Sequence, residues 1–114
     1  MFLVSAVEQL EVLQGTSWSR AFTFDPDLDI SDGYSARAQV RSRPSSEDVL
    51  FEWSSDTANV ELTELGEVIL TLEPEESSAF TWRRGVFDLE VTDPDGVVTR
   101  LASGTVFIRR EITR

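Results

Sequence analysis

The clearest pattern in the chain surrounds the turn sequence DPDG at residues 93–96. Before it, Phe87, Leu89 and Val91 alternate with polar residues, which is the period of a strand with one buried face. Proline and glycine in the turn suit a three-residue loop that ends in a left-handed residue. The sequence therefore predicts a β-hairpin over residues 85–104.

This turn also sets the pairing of the two strands. If Asp93 pairs with Val97, the predicted cross-strand pairs are Leu89 with Leu101, Val91 with Thr99, and Glu90 with Arg100. Apolar residues then meet on one face, and an acid meets a base on the other. A shift by one residue would bury charge.

Six earlier segments have strand patterns bounded by turn residues. They are residues 10–13, 18–24, 36–41, 49–53, 60–62 and 68–72. In the clearest of these, Ala36, Ala38 and Val40 alternate with polar residues, which predicts a half-buried strand with an arginine-lined outer face. Pro74 followed by two acids indicates one helical start over residues 74–80. The pattern predicts an all-β, antiparallel, Ig-like β-sandwich of seven or eight strands with one short helical turn, as a single domain over residues 1–114.

The net charge of the chain limits the classes of partner that it is expected to bind. The net charge is −11, from 21 acids and 10 arginines, with no lysine and no histidine. Such a chain repels nucleic acid and anionic lipid, so we expect neither as a partner. Residues 81–114 hold 6 of the arginines and only 5 acids. This imbalance is compatible with head-to-tail contact between copies, or simply with solvated arginines on the last strands.

The sequence offers little catalytic chemistry. It has no cysteine, histidine or lysine, and a serine nucleophile would have no base to activate it. Carboxylate pairs such as Asp88 and Glu90 are expected by chance among so many acids, so we predict that the chain is not an enzyme. The apolar start at residues 2–7 is too short for a signal peptide or a membrane span, and we expect synthesis in the cytoplasm.

An acidic loop at residues 25–32 resembles the first half of a calcium loop. Asp25, Asp27 and Asp29 have the right spacing, but an EF-hand would need glycine at Ile30 and glutamate at Ala36. We interpret the loop as turns in which aspartates accept hydrogen bonds from nearby amides. A Ca²⁺ ion shared between sandwich loops is the alternative, and no metal or cofactor is predicted.

The three tryptophans raise the question of carbohydrate binding. Trp18 and Trp53 lie on the apolar side of their strands, which favours core packing. Trp82 precedes Arg83 and Arg84 in a predicted loop. It is the tryptophan we expect to be most exposed, and a candidate contact residue.

The run GVFDLEVTDPDGVVTRLASGTVFI at residues 85–108 carries a family resemblance, supported by residues 29–41, 70–72, 78–82 and 112–114. It resembles a group of small β-sandwich virion proteins of tailed bacteriophages, similar to baseplate upper-protein N-terminal domains. The resemblance implies a structural protein in the baseplate, tail or neck, or on the head, and it carries over no catalytic residues. Phe87 stands where the group has tyrosine, and the apolar residues 1–7 have no counterpart.

The resulting hypothesis is a non-enzymatic, multicopy or homo-oligomeric virion component that docks onto other virion proteins, is made in the host cytoplasm and ends in the particle. The alternatives are a capsid decoration protein and a carbohydrate-binding or Ig-like module of an adhesin or tail fibre. Docking arms are predicted at residues 1–7 and 109–114. The alternative is that residues 2–7 form an extra edge strand of the same sandwich and that the C-terminal tail is disordered. The candidate interface residues are Phe2, Leu3, Val4, Trp82, Arg83, Arg84, Arg109, Arg110, Ile112 and Arg114.

Overall fold

Eight strands and one short helix follow one another along residues 6–110, the part of the chain that the computed structural model describes. The strands are β1 (Ala6–Leu13), β2 (Trp18–Thr23), β3 (Ser35–Arg41), β4 (Val49–Ser54), β5 (Val60–Leu62), β6 (Glu67–Leu72), β7 (Arg84–Thr92) and β8 (Val98–Arg109). The helix, α1, is Pro74–Ser78. This element order confirms the prediction of an all-β chain with one helical turn.

The strands form two sheets. The larger has the order β1-β8-β7-β3-β4, and the smaller has the order β2-β6-β5. Antiparallel pairing was predicted, and five of the six strand pairs in the described residues have it. The exception is β1, which runs parallel to β8 along its whole length. The two sheets enclose one core, so the predicted β-sandwich is confirmed.

The core is built from the alternating positions that the sequence indicates. On β3, Ala36, Ala38 and Val40 are buried while Arg37 is exposed. Trp53 on β4 is 1% exposed, and its indole N–H donates a hydrogen bond to the Thr71 carbonyl oxygen at 2.9 Å. Because that polar atom has a partner, the whole ring can be buried without an unsatisfied donor.

The hairpin between β7 and β8 has the predicted turn and, near the turn, the predicted register. The Asp93 amide donates to the Val97 carbonyl at 3.0 Å, and Glu90 lies opposite Arg100. Beyond that pair the prediction is wrong, because Leu89 lies opposite Ala102 rather than Leu101. A β-bulge inserts Leu101 as an extra residue. Leu101 and Ala102 are therefore both buried.

Both ends of the described chain belong to the larger sheet. The first strand, predicted from residue 10, begins at Ala6, so Ala6 and Val7 of the predicted first arm lie in β1. Arg109, the first residue of the other predicted arm, ends β8. Residues 1–5 and 111–114 lie outside the described residues.

The helix is a short connection to β7. It was predicted over residues 74–80 and ends at Ser78. The Ser77 hydroxyl is buried, accepts a hydrogen bond from the Gly15 amide at 2.9 Å and donates to the Thr16 carbonyl at 3.2 Å. These bonds fix the helix against the turn between β1 and β2.

Candidate functional site

Acidic side chains crowd one end of the sandwich. Three loops form this end, at residues 24–34, 63–67 and 92–97, and together they carry eight acids and no arginine. The loops touch one another, since the Ile30 amide donates to the Thr63 carbonyl at 3.2 Å and Gly33 lies against Pro94. We call this end the acidic pole.

Aspartates of the acidic pole cap their own turns. The Asp25 carboxylate accepts from the Asp27 amide at 3.0 Å, and Asp29 accepts from the amide and hydroxyl of Ser31 at 2.8 and 2.6 Å. The Ser31 hydroxyl, followed by its amide, lowers the pKa of Asp29 below its usual value. Within residues 6–110, no three acidic side chains converge in a way that could hold a metal ion.

Arginines gather at the opposite end of the larger sheet. Arg83 precedes β7 and Arg84 begins it, while Arg109 ends β8 and Arg110 follows it. The antiparallel pairing brings them together, because the Ile108 amide donates to the Arg83 carbonyl at 2.8 Å and Arg84 lies opposite Phe107. We call these four arginines the basic corner.

The basic corner borders a shallow depression. Its volume is about 440 Å³, and Phe107, Ile108 and Gln9 help to line it together with three of the four arginines, Arg83, Arg84 and Arg109. Phe107 lies on the solvent side of the sheet, and its side chain is partly exposed. A partly exposed aromatic ring among exposed guanidinium groups is the composition that protein interfaces favour.

One acid from β1 enters the basic corner. The Arg109 guanidinium donates to the Glu11 carboxylate at 2.8 Å. This hydrogen bond, followed by the attraction between the charges, lowers the pKa of Glu11 and raises that of Arg109. Both side chains are exposed, so solvent screens the pair. Arg83, Arg84 and Arg110 make no ion pair within the described residues.

The structure brings together some of the candidate interface residues. Arg83, Arg84, Arg109 and Arg110 share the basic corner and are all exposed. Trp82 is only partly buried, and its ring stacks on Phe80 with centroids 4.9 Å apart. The remaining candidates, Phe2, Leu3, Val4, Ile112 and Arg114, lie outside the described residues.

The other two tryptophans sit where core packing predicts. Trp53 is buried, and Trp18 packs against it with ring centroids 5.8 Å apart. Phe51 links Trp53 to Phe80 by edge contacts at 5.0 and 5.2 Å. A chain of aromatic rings therefore runs from the core to Trp82, next to the basic corner.

A second depression lies on the outer face of the larger sheet. It measures about 490 Å³ and is lined partly by Arg37, Gln39 and Arg41. The chain already partners two of these groups, because Arg41 donates to the Ser46 carbonyl at 2.6 Å and Gln39 donates to the Glu52 carboxylate at 2.7 Å.

The carboxylates of Asp88 and Glu90 border the same outer face. Asp88 approaches the Arg100 guanidinium at 3.6 Å. The ion pair of Arg100 is thus with Asp88, two residues from its cross-strand neighbour Glu90. Both acids lie on the outer face of β7 and line the second depression.

Comparison with known proteins does not assign a family. No family model matches the chain, and no curated protein matches it at a significant level. Among the described residues, no helix is long and apolar enough to cross a membrane.

Proposed function

We propose that the chain is a non-enzymatic structural component of a tailed-phage virion, in the tail, baseplate or neck, and that it acts by docking onto other virion proteins through the basic corner. The observation that carries the docking proposal is the convergence of four exposed arginines at one corner of a chain with net charge −11. The resemblance of residues 85–108 to small phage β-sandwich proteins supports the assignment to a virion.

The chemistry of the basic corner favours a partner surface that carries carboxylates. A guanidinium group offers a planar set of donors that matches a carboxylate in two parallel hydrogen bonds. Arg83 and Arg84 are neighbours in sequence, while Arg109 belongs to the same corner at the end of β8 and Arg110 directly follows it. Phe107 adds an apolar contact beside them. The expected partner therefore presents acids around a small apolar patch.

Substitution in the particle tests this proposal. In phage that encode the double variant Arg83→Glu, Arg84→Glu, the amount of this protein in purified virions should fall at least about tenfold. Each lost charge-assisted hydrogen bond is worth roughly 1.5–3 kcal/mol. Arg43→Glu is the matched control, because Arg43 is also exposed but lies in the loop between β3 and β4. Equal incorporation of both variants would contradict docking through the basic corner. Absence of the native protein from virions would contradict the assignment to the particle.

The same preparation distinguishes the alternatives. Immunogold labelling of intact particles places the protein on the tail, as proposed, or on the head, as expected for a capsid decoration protein. Measurable glycan binding that Trp82→Ala abolishes would instead favour a carbohydrate-binding module.

A further inference from the structure

Strand β1 leaves one edge of the larger sheet open. In a parallel pair, alternate residues of a strand bond to the neighbour. The Gln14 amide donates to the Arg109 carbonyl of β8 at 2.8 Å, so the even-numbered residues of β1 direct their backbone groups toward β8. The residues that direct their N–H and C=O groups to the open edge are Val7, Gln9, Glu11 and Leu13.

A side chain covers part of the opposite edge of the sheet. Asn59 accepts a hydrogen bond from the Ser54 amide at 3.1 Å and donates to the Glu52 carbonyl at 3.3 Å, so two of the outward-facing backbone groups of β4 have partners. In the described residues β1 has no proline and no bulge, two of the devices by which proteins protect an edge. Only its last residue is capped, because the Leu13 carbonyl accepts a hydrogen bond from the Thr16 hydroxyl at 2.7 Å. Two apolar side chains also lie on its outer face, with Val7 83% and Leu13 46% exposed.

We propose that β1 pairs antiparallel with β1 of a second copy about a two-fold axis at Leu10, which joins the two larger sheets into one of ten strands. Val7 then lies opposite Leu13 of the partner, and Gln9 lies opposite Glu11. All four pairs along the seam use residues whose backbone groups face the open edge. The two Gln9–Glu11 pairs can each exchange two N–H to C=O bonds. In the Val7–Leu13 pairs the Leu13 N–H can donate to Val7, whereas the Leu13 carbonyl already accepts from the Thr16 hydroxyl at 2.7 Å. This contact does not rest on the assignment to a virion, and Val7 and Leu13 at its two ends do not line the depression of the basic corner.

The charges on β1 favour a second copy in this register. Each acid of the strand already has a cation of its own chain, since Glu8 bonds Arg20 and Glu11 bonds Arg109. Two β1 strands can therefore meet without uncompensated charge although each chain carries −11 overall. At the seam, the Gln9 amide can donate to the partner's carboxylate.

The neighbouring registers are less favourable. Moving the axis toward the end of β1, to residue 11, would set Glu11 directly against its own copy, and like charges in opposed positions destabilise a sheet. Moving it to residue 9 would set the exposed Val7 against Glu11. The axis at Leu10 is the register that pairs apolar with apolar and amide with carboxylate.

Measurement of mass in solution tests the dimer. The purified full chain should show twice the 12.8 kDa monomer mass by light scattering as its concentration rises. Val7→Arg should hold the protein at the monomer mass, and so should Gln9→Pro, which removes an edge N–H but no bond to β8. Val49→Arg is the matched control, because Val49 is 41% exposed on the other edge strand and should leave the dimer intact. Thermal unfolding confirms that each variant is folded.

Cysteine pairs test the register, since the native chain has no cysteine. Val7→Cys mixed with Leu13→Cys should form a disulfide-linked dimer under mild oxidation, because paired residues have Cα atoms about 5.5 Å apart, within the range of a disulfide. Each variant alone should remain unlinked, with its two copies about 20 Å apart along the seam. A monomer at every concentration, a dimer that resists Val7→Arg, or rapid linking of either variant by itself would overturn the proposal.

Discussion

Gly104 marks the closest approach of β1 to β8. It lies opposite Glu8 in the parallel pair and has a positive φ of 151°. A Cβ atom at this position would lie 1.8 Å from the Glu8 carbonyl oxygen, whereas contacts under 3.0 Å essentially do not occur. The substitution Gly104→Ala therefore forces β1 away from β8 by more than 1 Å.

The size of the expected loss of stability follows from the side chains that β1 buries. A backbone hydrogen bond that lengthens by 1 Å is lost, so β1 must distort around Glu8 or leave the sheet. Leaving the sheet exposes Leu10 and Val12, which are 1% and 0% exposed. Each such side chain is worth roughly 1.5–3 kcal/mol. We expect Gly104→Ala to lower the free energy of unfolding by about 3–6 kcal/mol.

Denaturant unfolding followed by tryptophan fluorescence measures this loss, since Trp53 changes from buried to exposed. Gly96→Ala is the matched control, because Gly96 also has a positive φ, 88°, but its Cβ would have nothing within 4 Å. The control should lower the free energy of unfolding only by the cost of a side chain at positive φ, about 1–2 kcal/mol. If Gly104→Ala loses no more than Gly96→Ala, the close approach of β1 does not limit stability and the reasoning fails.

Three other predictions follow from the core, the basic corner and the chain ends. Leu89→Ala should cost about 2–5 kcal/mol, because Leu89 is fully buried, and a loss under about 0.5 kcal/mol would show an exposed side chain. The pKa of Glu11, measured by NMR titration, should lie below its usual value and return to that value in Arg109→Gln. Because the folded-state pKa is lowered, the Glu11–Arg109 pair should stabilise the fold at neutral pH. This stabilisation should vanish as the pH falls through the lowered pKa. Deleting residues 1–6 and 110–114 should leave the domain folded but abolish incorporation into virions, whereas normal incorporation would place the contacts elsewhere.

The sequence predicts the hairpin well because its signals are local. Turn residues and alternation determine the pairing of Glu90 with Arg100. The bulge at Leu101 breaks this register, and the sequence does contain a sign of it. The buried positions change parity between Leu101 and Val106, and two successive apolar residues where the parity changes indicate an extra residue.

The basic corner was within reach of the same reasoning. Arg83, Arg84, Arg109 and Arg110 are recognisable in the sequence as candidate contact residues. Extending the antiparallel pairing past the bulge brings Arg84 opposite Phe107, which places the two arginine pairs side by side. Predicting this arrangement requires the register of β7 against β8 beyond the bulge, and therefore the bulge itself.

The position of β1 could not be predicted from local pattern. Alternation shows that Leu10 and Val12 face a core, but it does not show which strand lies beside them or in which direction. The parallel pairing with β8 joins segments about 96 residues apart. The sequence feature that indicates this parallel pairing is Gly104, because a glycine inside a strand is typical of a close backbone approach.

The two proposed contacts differ in symmetry, and this makes them separable. A β1 pair is isologous and closes with two copies, whereas docking through the basic corner joins unlike surfaces and can continue to further proteins. Arg83→Glu with Arg84→Glu should therefore lower incorporation at least about tenfold but keep the dimer mass, because neither residue lies on β1. Val7→Arg should give the monomer mass while leaving the basic corner intact. If either variant abolishes both properties in a folded protein, the two surfaces form one interface, and the contacts are not independent.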